Sequence, residues 1–126
     1  MAATSDQIRL KVLDLAAEGA NALFMLPGEW NWEDGVVHPG TSSEATRDVV
    51  ETLTREGHIV IYAIRVGRDD PPLDVDAALA AVADDRNWHP PGQEGAEVLY
   101  ELAITESGEA EYWRLRNAAA GRDATA

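Results

Sequence analysis

The chain contains no cysteine, and a single lysine, Lys11, stands among its ten basic residues. Without cysteine, disulfides, thiolate catalysis and cysteine-ligated zinc are excluded. No apolar run reaches the roughly 18 residues that a membrane-spanning helix needs. The first residues, MAATSDQIRLK, also lack the basic-then-apolar order of a secretory signal. We therefore expect a cytoplasmic protein that makes no use of a membrane.

The balance of charge is strongly acidic. Ten Lys and Arg residues stand against 23 Asp and Glu residues, and the formal net charge is −13. Such a field repels nucleic acid and anionic membranes, and it steers basic partners inward. An acidic surface that serves only to keep the protein soluble is the alternative interpretation, and it stays open.

The spacing of apolar residues predicts a single domain over 1–126, with four helices and two clear strands. The first helix is predicted over Asp6–Gly19, with Ser5 or Asp6 as the residue that caps its start and Gly19 as the residue that ends it. Its inward stripe consists of Ile8, Val12, Leu15 and Ala16. The other helices are predicted over 41–56, within 73–85 and over 105–116, and the strands over 58–65 and 98–105.

Several stretches lack a clear period. Residues 22–26 form an apolar run that fits either a strand or a buried helical turn, and both interpretations stay open. Residues 27–41 contain two Pro-Gly breaks and are predicted to form an irregular loop. Residues 66–96 are predicted to be an insertion between the two strands. An ordered core is expected over 6–116, followed by a flexible tail over 117–126.

Both strands are expected to contribute to the core. Residues 58–65 are apolar on both faces, so both faces are expected to be covered. Residues 98–105 alternate, and Glu101 lies on the face away from most of the apolar side chains. The apolar face of this second strand consists of Val98, Tyr100, Leu102 and Ile104.

The helices and two of the tryptophans supply the rest of the predicted core. Trp88 is expected to anchor the return of the insertion, and Trp113 is expected to lie inward on the last helix. The inward face of that helix is predicted to hold Ala110, Trp113 and Leu115. The helix 41–56 buries Ala45, Val49, Val50 and Leu53, and ends at Gly57. The helix within the insertion is capped by Asp74, and its apolar face is Val75, Ala78, Leu79 and Val82.

Two stretches of the sequence resemble part of a known fold. In DVVETLTREGHIVIYAI a helix runs into a strand through Glu-Gly, and in LYELAITESGEAEYWRL a strand leads through Thr-x-x-Gly-x-Ala into a helix. Together, over 43–65 and 98–115, they resemble the second half of winged-helix domains such as the multiple-antibiotic-resistance type of repressors. The resemblance implies an α+β, winged-helix-like fold with about four helices and a two- or three-stranded antiparallel sheet. It also implies that 41–56 corresponds to the recognition helix and 66–96 to an insertion in the wing.

The exposed side of the helix 41–56 carries charges of both signs. It holds three acids and two bases, which are Glu44, Arg47, Asp48, Glu51 and Arg55. A DNA-reading helix needs clustered Lys and Arg, because phosphates flank the groove on each side. Glu51 and Arg55 are four residues apart, and we expect them to pair with each other. This face therefore disfavours nucleic acid as a partner.

The charge of the insertion 66–96 also disfavours nucleic acid as a partner, and in this it differs from the wing of the family that the chain resembles. Its two Arg residues are outnumbered by seven acids, which are Asp69, Asp70, Asp74, Asp76, Asp84, Asp85 and Glu94. Because wing tips that touch DNA are short and basic in the family that the chain resembles, we interpret this insertion as a lid over the strands or a partner surface. Residues 21–40, where the preceding helix of the DNA-binding motif belongs, show no helical period.

The sequence contains no recognisable catalytic or cofactor motif. His38, His58 and His89 stand singly, and no Gly-rich phosphate loop or Gly-x-Ser-x-Gly elbow occurs. Glu33, Asp34 and His38 could hold a divalent ion, but an acid-rich loop produces this combination by chance. We expect no enzyme activity, no metal and no cofactor.

Trp30 and Trp32 are the strongest candidates for a binding site. Aromatic rings supply buried contact area, and neighbouring carboxylates pair with an Arg-rich protein and steer it. The predicted protein-binding residues are Glu29, Trp30, Trp32, Glu33 and Asp34. The alternative, that these rings fill the core of a domain with a single Phe, stays open.

These observations predict a non-catalytic, acidic protein-binding module. Its expected partner is a basic protein, as for an inhibitor, an immunity protein or an antitoxin-type protein. The main alternative is a winged-helix transcriptional regulator that binds DNA. A third hypothesis is a homodimer in which the insertion pairs two copies of the chain.

Overall fold

A three-stranded antiparallel sheet and four α-helices make up the part of the chain that the computed structural model describes, which is 4–19, 21–30, 43–65, 67–89 and 98–125. This arrangement confirms the predicted α+β fold, with four helices and a three-stranded sheet. The helices are α1 (Ser5–Glu18), α2 (Ser43–Arg55), α3 (Val75–Ala83) and α4 (Glu106–Thr125), and the strands are β1 (Asn21–Ala22), β2 (Ile59–Ile64) and β3 (Leu99–Ile104). No helix in these ranges combines the length and apolar character needed to cross a bilayer.

Strand β3 is the middle strand of the sheet. The order is β1-β3-β2, and both pairings are antiparallel. Leu102 lies opposite Ile61 on one side and Asn21 on the other. The β-branched residues of β2 suit this pleated surface, because their branched side chains pack against cross-strand neighbours.

The core lies between one face of this sheet and helices α1 and α2. All four residues of the predicted stripe of α1 are buried, and so are Val49, Val50 and Leu53 in α2. Helix α1 begins one residue earlier than expected, because Thr4 caps it. The Thr4 hydroxyl accepts from the Gln7 N–H at 3.2 Å, and the Gln7 side chain accepts from the Thr4 N–H at 2.8 Å.

The apolar run 22–26 contains both a strand residue and a helical turn, which are the two interpretations that the sequence left open. Asn21 and Ala22 form β1, and a 3₁₀ helix follows over Leu23–Trp30. The loop predicted over 27–41 is therefore wrong for 27–30, and 31–42 lies outside the described residues. Asn21 is buried, and its amide donates to the Leu15 carbonyl at 2.7 Å, which satisfies a carbonyl group near the end of α1.

Only one face of β2 is fully covered, so the prediction that both faces are covered is wrong. Ile59, Ile61 and Ala63 are buried, but Ile64 is 40% exposed. Val60 and Tyr62 are half-buried. The helical core lies on the side that carries Ile59 and Ile61, and side chains alternate along a strand.

The insertion packs onto α2 and the edge of β2. The Asp74 carboxylate accepts from the Ala77 N–H at 2.8 Å and caps α3, as predicted. The Leu73 N–H donates to the Ile61 carbonyl at 2.8 Å, outside the β2–β3 pairing. Ala78 and Val82 are buried as expected. Val75 is 48% exposed, because it begins the helix at its outer end.

Trp88 and Trp113 have opposite outcomes. Trp88 is buried, as predicted, and its indole N–H donates to the Val82 carbonyl at 2.9 Å. Trp113 is 58% exposed and Ala110 is exposed, so both were wrongly expected to lie inward, whereas Leu115 is buried. The indole lies two residues before Leu115, which is about 200° around the helix.

The rotation of α4 about its axis is fixed by a close approach at Gly108. A Cβ atom at this position would lie 2.0 Å from the His58 carbonyl oxygen and 2.8 Å from Ile104 Cγ1. Gly108 and Leu115 are seven residues apart and share a side of the helix, so this contact turns Leu115 inward. The helix then continues to Thr125 rather than ending near Arg116, because the alanines that follow favour helix. Flexibility over 117–126 stays a prediction.

Thr105 connects the turn between β3 and α4 with the turn between α2 and β2. Its N–H donates to the His58 carbonyl at 3.1 Å, and its hydroxyl donates to the Gly57 carbonyl at 2.6 Å. The same hydroxyl accepts from the Gly108 N–H at 3.1 Å and caps α4. Gly57 has a positive φ of 77°, which lets the chain pass from the end of α2 to the start of β2 through only three residues.

We predict that Gly108→Ala lowers the free energy of unfolding by roughly 2–4 kcal/mol, because the added methyl meets a backbone carbonyl that cannot rotate away. Urea unfolding followed by circular dichroism measures this loss. Gly121→Ala, in the same helix, is the matched control. Its Cβ meets nothing within 4 Å, so we expect no loss and a gain of up to about 1 kcal/mol. Equal unfolding midpoints for the two variants would contradict the close approach.

Candidate protein-binding surface

The predicted binding residues begin where the 3₁₀ helix Leu23–Trp30 ends. Glu29 and Trp30 are its last two residues, and the buried Leu23 and Leu26 anchor its first turns in the core. The side chains of Glu29 and Trp30, and the whole of Trp32, Glu33 and Asp34, lie outside the described part of the chain. The site made of these five residues therefore stays a prediction.

The outer side of α2 has its arginines paired within the molecule. Arg55 Nη2 lies 2.6 Å from Glu51 Oε1, which confirms the pair expected from the four-residue spacing. This pair is exposed, and it contributes little to stability because water screens it. It neutralises one of the two bases on this face.

Arg47, the second base on α2, is directed at the insertion. Its Nη2 donates to Asp85 Oδ1 at 2.9 Å, and its guanidinium carbon lies 5.1 Å from the centroid of the buried Trp88 ring. Arg47 and His89 both bond the Asp85 carboxylate and hold its pKa below the ordinary value, with Arg47 the larger cause. We call this group, Arg47 with Asp85 and Trp88, the Arg47 clamp.

Sequence reasoning missed the Arg47 clamp. In the sequence, Asp85 is one of seven acids of the insertion, and Arg47 is one of five charged residues on the exposed side of a helix. The two residues are 38 positions apart, and no local spacing rule pairs residues at that separation. The sequence contains one signal for this contact, which is Trp88. Because Trp88 is expected in the core, the residues next to it in the chain are also expected to lie close to a core helix.

Other acids of the insertion also have partners. Asp84 receives the Arg86 Nη2–H at 2.8 Å and the Arg86 backbone N–H at 3.1 Å, and these bonds lower its pKa. Asp70 lies 3.1 Å from Arg68 and 3.7 Å from Arg65. Most bases of this region are thus used locally, and the surplus of carboxylates remains on the surface.

With its arginines engaged, α2 presents carboxylates outward. Glu44 and Asp48 are exposed and one helical turn apart. A phosphate backbone placed here would meet two like charges, whereas Arg or Lys side chains of a protein would find pairing partners. The electrostatics of α2 therefore favour a basic partner.

The two described histidines take part in local hydrogen bonds. His89 Nε2 lies 3.1 Å from Asp85, and His58 Nδ1 lies 3.1 Å from the Ser107 hydroxyl. The Ser107 hydroxyl also lies 3.1 Å from the Gly57 carbonyl oxygen, to which it can donate. Within the described ranges, no cluster of three or more His, Cys, Asp or Glu residues could hold a metal.

A second charged cluster connects α1, α4 and the end of α2. Arg9 bonds Glu56 at 3.0 Å and also pairs with Glu111, which Arg114 bonds from the next turn of α4. The Glu111 side chain is only 10% exposed. The hydrogen bond from Arg114, more than that from Arg9, lowers the pKa of Glu111 to about 2 against the cost of burial. This cluster holds the helices together, so it is structural.

Comparison of the chain with models of known protein families, with curated proteins and with solved structures finds no match. Function is therefore inferred from the side chains and charges of this molecule alone.

We predict that Arg47→Ala loosens the insertion and lowers the free energy of unfolding by about 1–2 kcal/mol, through loss of the cation–π contact and the charged hydrogen bond. Hydrogen exchange at the Asn87 and His89 amides, which bond within the 3₁₀ helix Asp85–Trp88, should become faster. Arg55→Ala is the control, with an expected change below about 0.5 kcal/mol. Similar effects for the two arginines would show that the Arg47 clamp does not hold the insertion.

We predict that Glu111 contributes to stability in a pH-dependent way. Its pKa falls from 4.5 to about 2 on folding, so its contribution is full above about pH 4.5 and disappears as the pH falls towards 2. Glu111→Gln should therefore be less stable than the unchanged protein at neutral pH, and this difference should shrink on acidification. Urea unfolding across this pH range measures it, with the exposed Glu109→Gln as control. A difference that stays constant with pH contradicts the assignment.

Proposed function

We propose that the chain is a non-catalytic, acidic protein-binding module that engages a basic protein, in the manner of an inhibitor, an immunity protein or an antitoxin-type protein. The observation that carries the proposal is the pairing of Arg47 with Asp85 and of Arg55 with Glu51. Among the described residues, carboxylates without an ion pair are left on the outer side of α2, on a molecule of net charge −13. A cytoplasmic location is part of the same proposal.

The electrostatic consequences favour a protein partner over nucleic acid. A strongly acidic molecule repels a polyanion at every approach, and it accelerates encounter with a basic protein by long-range attraction. Such attraction weakens as salt is added, because the Debye length is about 8 Å at physiological ionic strength. Complex formation by this module should therefore depend strongly on ionic strength.

The predicted contact residues Glu29, Trp30, Trp32, Glu33 and Asp34 belong to this proposal. Large aromatic side chains dominate binding energy when a partner covers them, and acids around them give specificity. The backbone of Trp30 is attached to the core through Leu23 and Leu26.

The experiment is a pull-down from the native host with the tagged chain, at increasing salt. We expect capture of a protein with a high isoelectric point, lost at high salt, and weaker capture by a variant with Trp30→Ala and Trp32→Ala. That variant should keep its melting temperature. If no partner is recovered at any salt, the proposal is wrong. If the variant loses several degrees of melting temperature, the rings belong to the core and the predicted site is wrong.

A winged-helix DNA-binding regulator is the second candidate, and the order of elements supports it. Helix α2 runs through Gly57 into β2, and β3 returns into α4. A gel-shift titration on random duplex DNA at low salt separates the two candidates. Our proposal expects no shift, whereas binding with a steep salt dependence favours the regulator. Light scattering tests the third hypothesis, a homodimer paired by the insertion.

A further inference from the structure

Strands β2 and β3 present an apolar face on the side of the sheet away from the core. Because side chains alternate along a strand and cross-strand partners share a face, this outer face can be read from the register. It consists of three cross-strand pairs, which are Val60 with Ala103, Tyr62 with Glu101, and Ile64 with Leu99. We call it the outer sheet face.

The outer sheet face remains accessible. Its residues on β2 and β3 are half-buried or exposed, with Ile64 at 40% exposure. The residues that alternate with them behave differently, since Ile59, Ile61 and Leu102 are almost fully buried. On the third strand, Ala22 lies opposite Glu101 and is also buried. The accessible part of this face is therefore the area over β2 and β3.

Glu101 is the one charged residue of the three pairs, and it is half-buried on the middle strand. Within the described ranges, its carboxylate has no hydrogen bond or ion pair. Several other carboxylates of the molecule, such as those of Glu111, Asp84 and Asp85, do have such partners. An apolar partner that covered Glu101 would leave a buried carboxylate unpaired, at a large cost in free energy.

Tyr62 lies directly across from Glu101, and its aromatic ring offers a second contact for a cation. Cross-strand partners have Cβ atoms roughly 4.5–5.5 Å apart. A guanidinium or ammonium group placed over the Tyr62 ring can therefore also reach the Glu101 carboxylate. The aliphatic side chains of Val60 and Ile64, on either side of Tyr62, suit apolar neighbours of that cation.

The edge of β2 is less suited to binding than its outer face. The Leu73 N–H already occupies the outward carbonyl of Ile61. Pro71 and Pro72 precede it and have no N–H to offer. Addition of a partner strand at this edge would have to displace the insertion, so contact through side chains on the outer sheet face is favoured.

We infer that the outer sheet face is the docking surface for the basic partner, and that it receives a Lys or Arg side chain set between apolar residues, with Glu101 and Tyr62 as the cation-binding pair. This inference rests on the proposed function and adds a second contact to the tryptophan-containing segment. Charge complementarity identifies the occupant, because the apolar face has an unpaired carboxylate at its centre and belongs to a molecule of net charge −13.

The first experiment places a photo-crosslinking amino acid, p-benzoylphenylalanine, at position 64 of the full chain in the native host, because this exposed position of the outer sheet face leaves Glu101 and Tyr62 unchanged. The same substitution at the exposed Trp113 is the control. We expect position 64 to form an adduct with a protein of high isoelectric point and position 113 to form little or none. A crosslink within the same chain, to a second copy or to an acidic protein, or no crosslink at all, overturns the inference.

The second experiment measures the affinity of the identified partner for two charge variants. Glu101→Gln keeps the shape of the side chain and should weaken binding at least about tenfold, as expected for one member of a desolvated charge pair. Glu109→Gln removes the same charge from an exposed site on α4 and should change the affinity less than about threefold. Both variants should keep the melting temperature of the unchanged protein.

The failure of this inference can be distinguished from the failure of the proposed function. If the pull-down recovers a basic partner but Glu101→Gln and Glu109→Gln bind it equally, the partner docks elsewhere and only the inference is wrong. If the unchanged chain recovers no partner at any salt, the proposed function is wrong, and the inference fails with it.

Discussion

The contact between Gly108 and the His58 carbonyl is the constraint on which the rest of the structure depends. It brings the start of α4 against the turn between α2 and β2, and Thr105 closes the same junction with hydrogen bonds to both sides. The α2–β2 turn and the β3–α4 turn, which are far apart in sequence, are thereby held in contact. The pairing of β2 with β3 starts next to this point, and the side of α4 that meets the core is set by it.

The distribution of the excess negative charge over the surface depends on which acids the arginines pair with. Arg47 and Arg55 are engaged with acids of the same chain, and Arg9 joins α1 to α4 through Glu111, which Arg114 also bonds from within α4. Because the bases serve internal contacts, the carboxylates left over define the outward field. Asp85, which Arg47 brings to this face, makes the surface around α2 more acidic than the local sequence indicates, and this charge is the basis for proposing a basic protein as the partner.

The fold was more predictable than the candidate surfaces. The stripe of α1 and the strands on either side of the insertion followed from periodicity, which local backbone geometry imposes, and the burial of Trp88 followed from its large aromatic side chain. Trp113 did not, because hydrophobicity alone does not give the rotation of a helix about its axis. The Arg47 clamp and the outer sheet face also depend on long-range packing: one joins α2 to the insertion, and the other requires the register of β2 against β3.

The sequence by itself determined the places of the four α-helices and of the two strands beside the insertion, the α+β class, the Glu51–Arg55 pair and the acidic field, since these depend on neighbours within a few residues or on composition. Only the tertiary structure decided which way α4 faces, where Arg47 points and which face of β2 stays accessible. These features come from contacts between residues about 40 to 50 positions apart, such as Gly108 with His58. These contacts form only when distant parts of the chain come together in the folded protein, so no local sequence pattern predicts them.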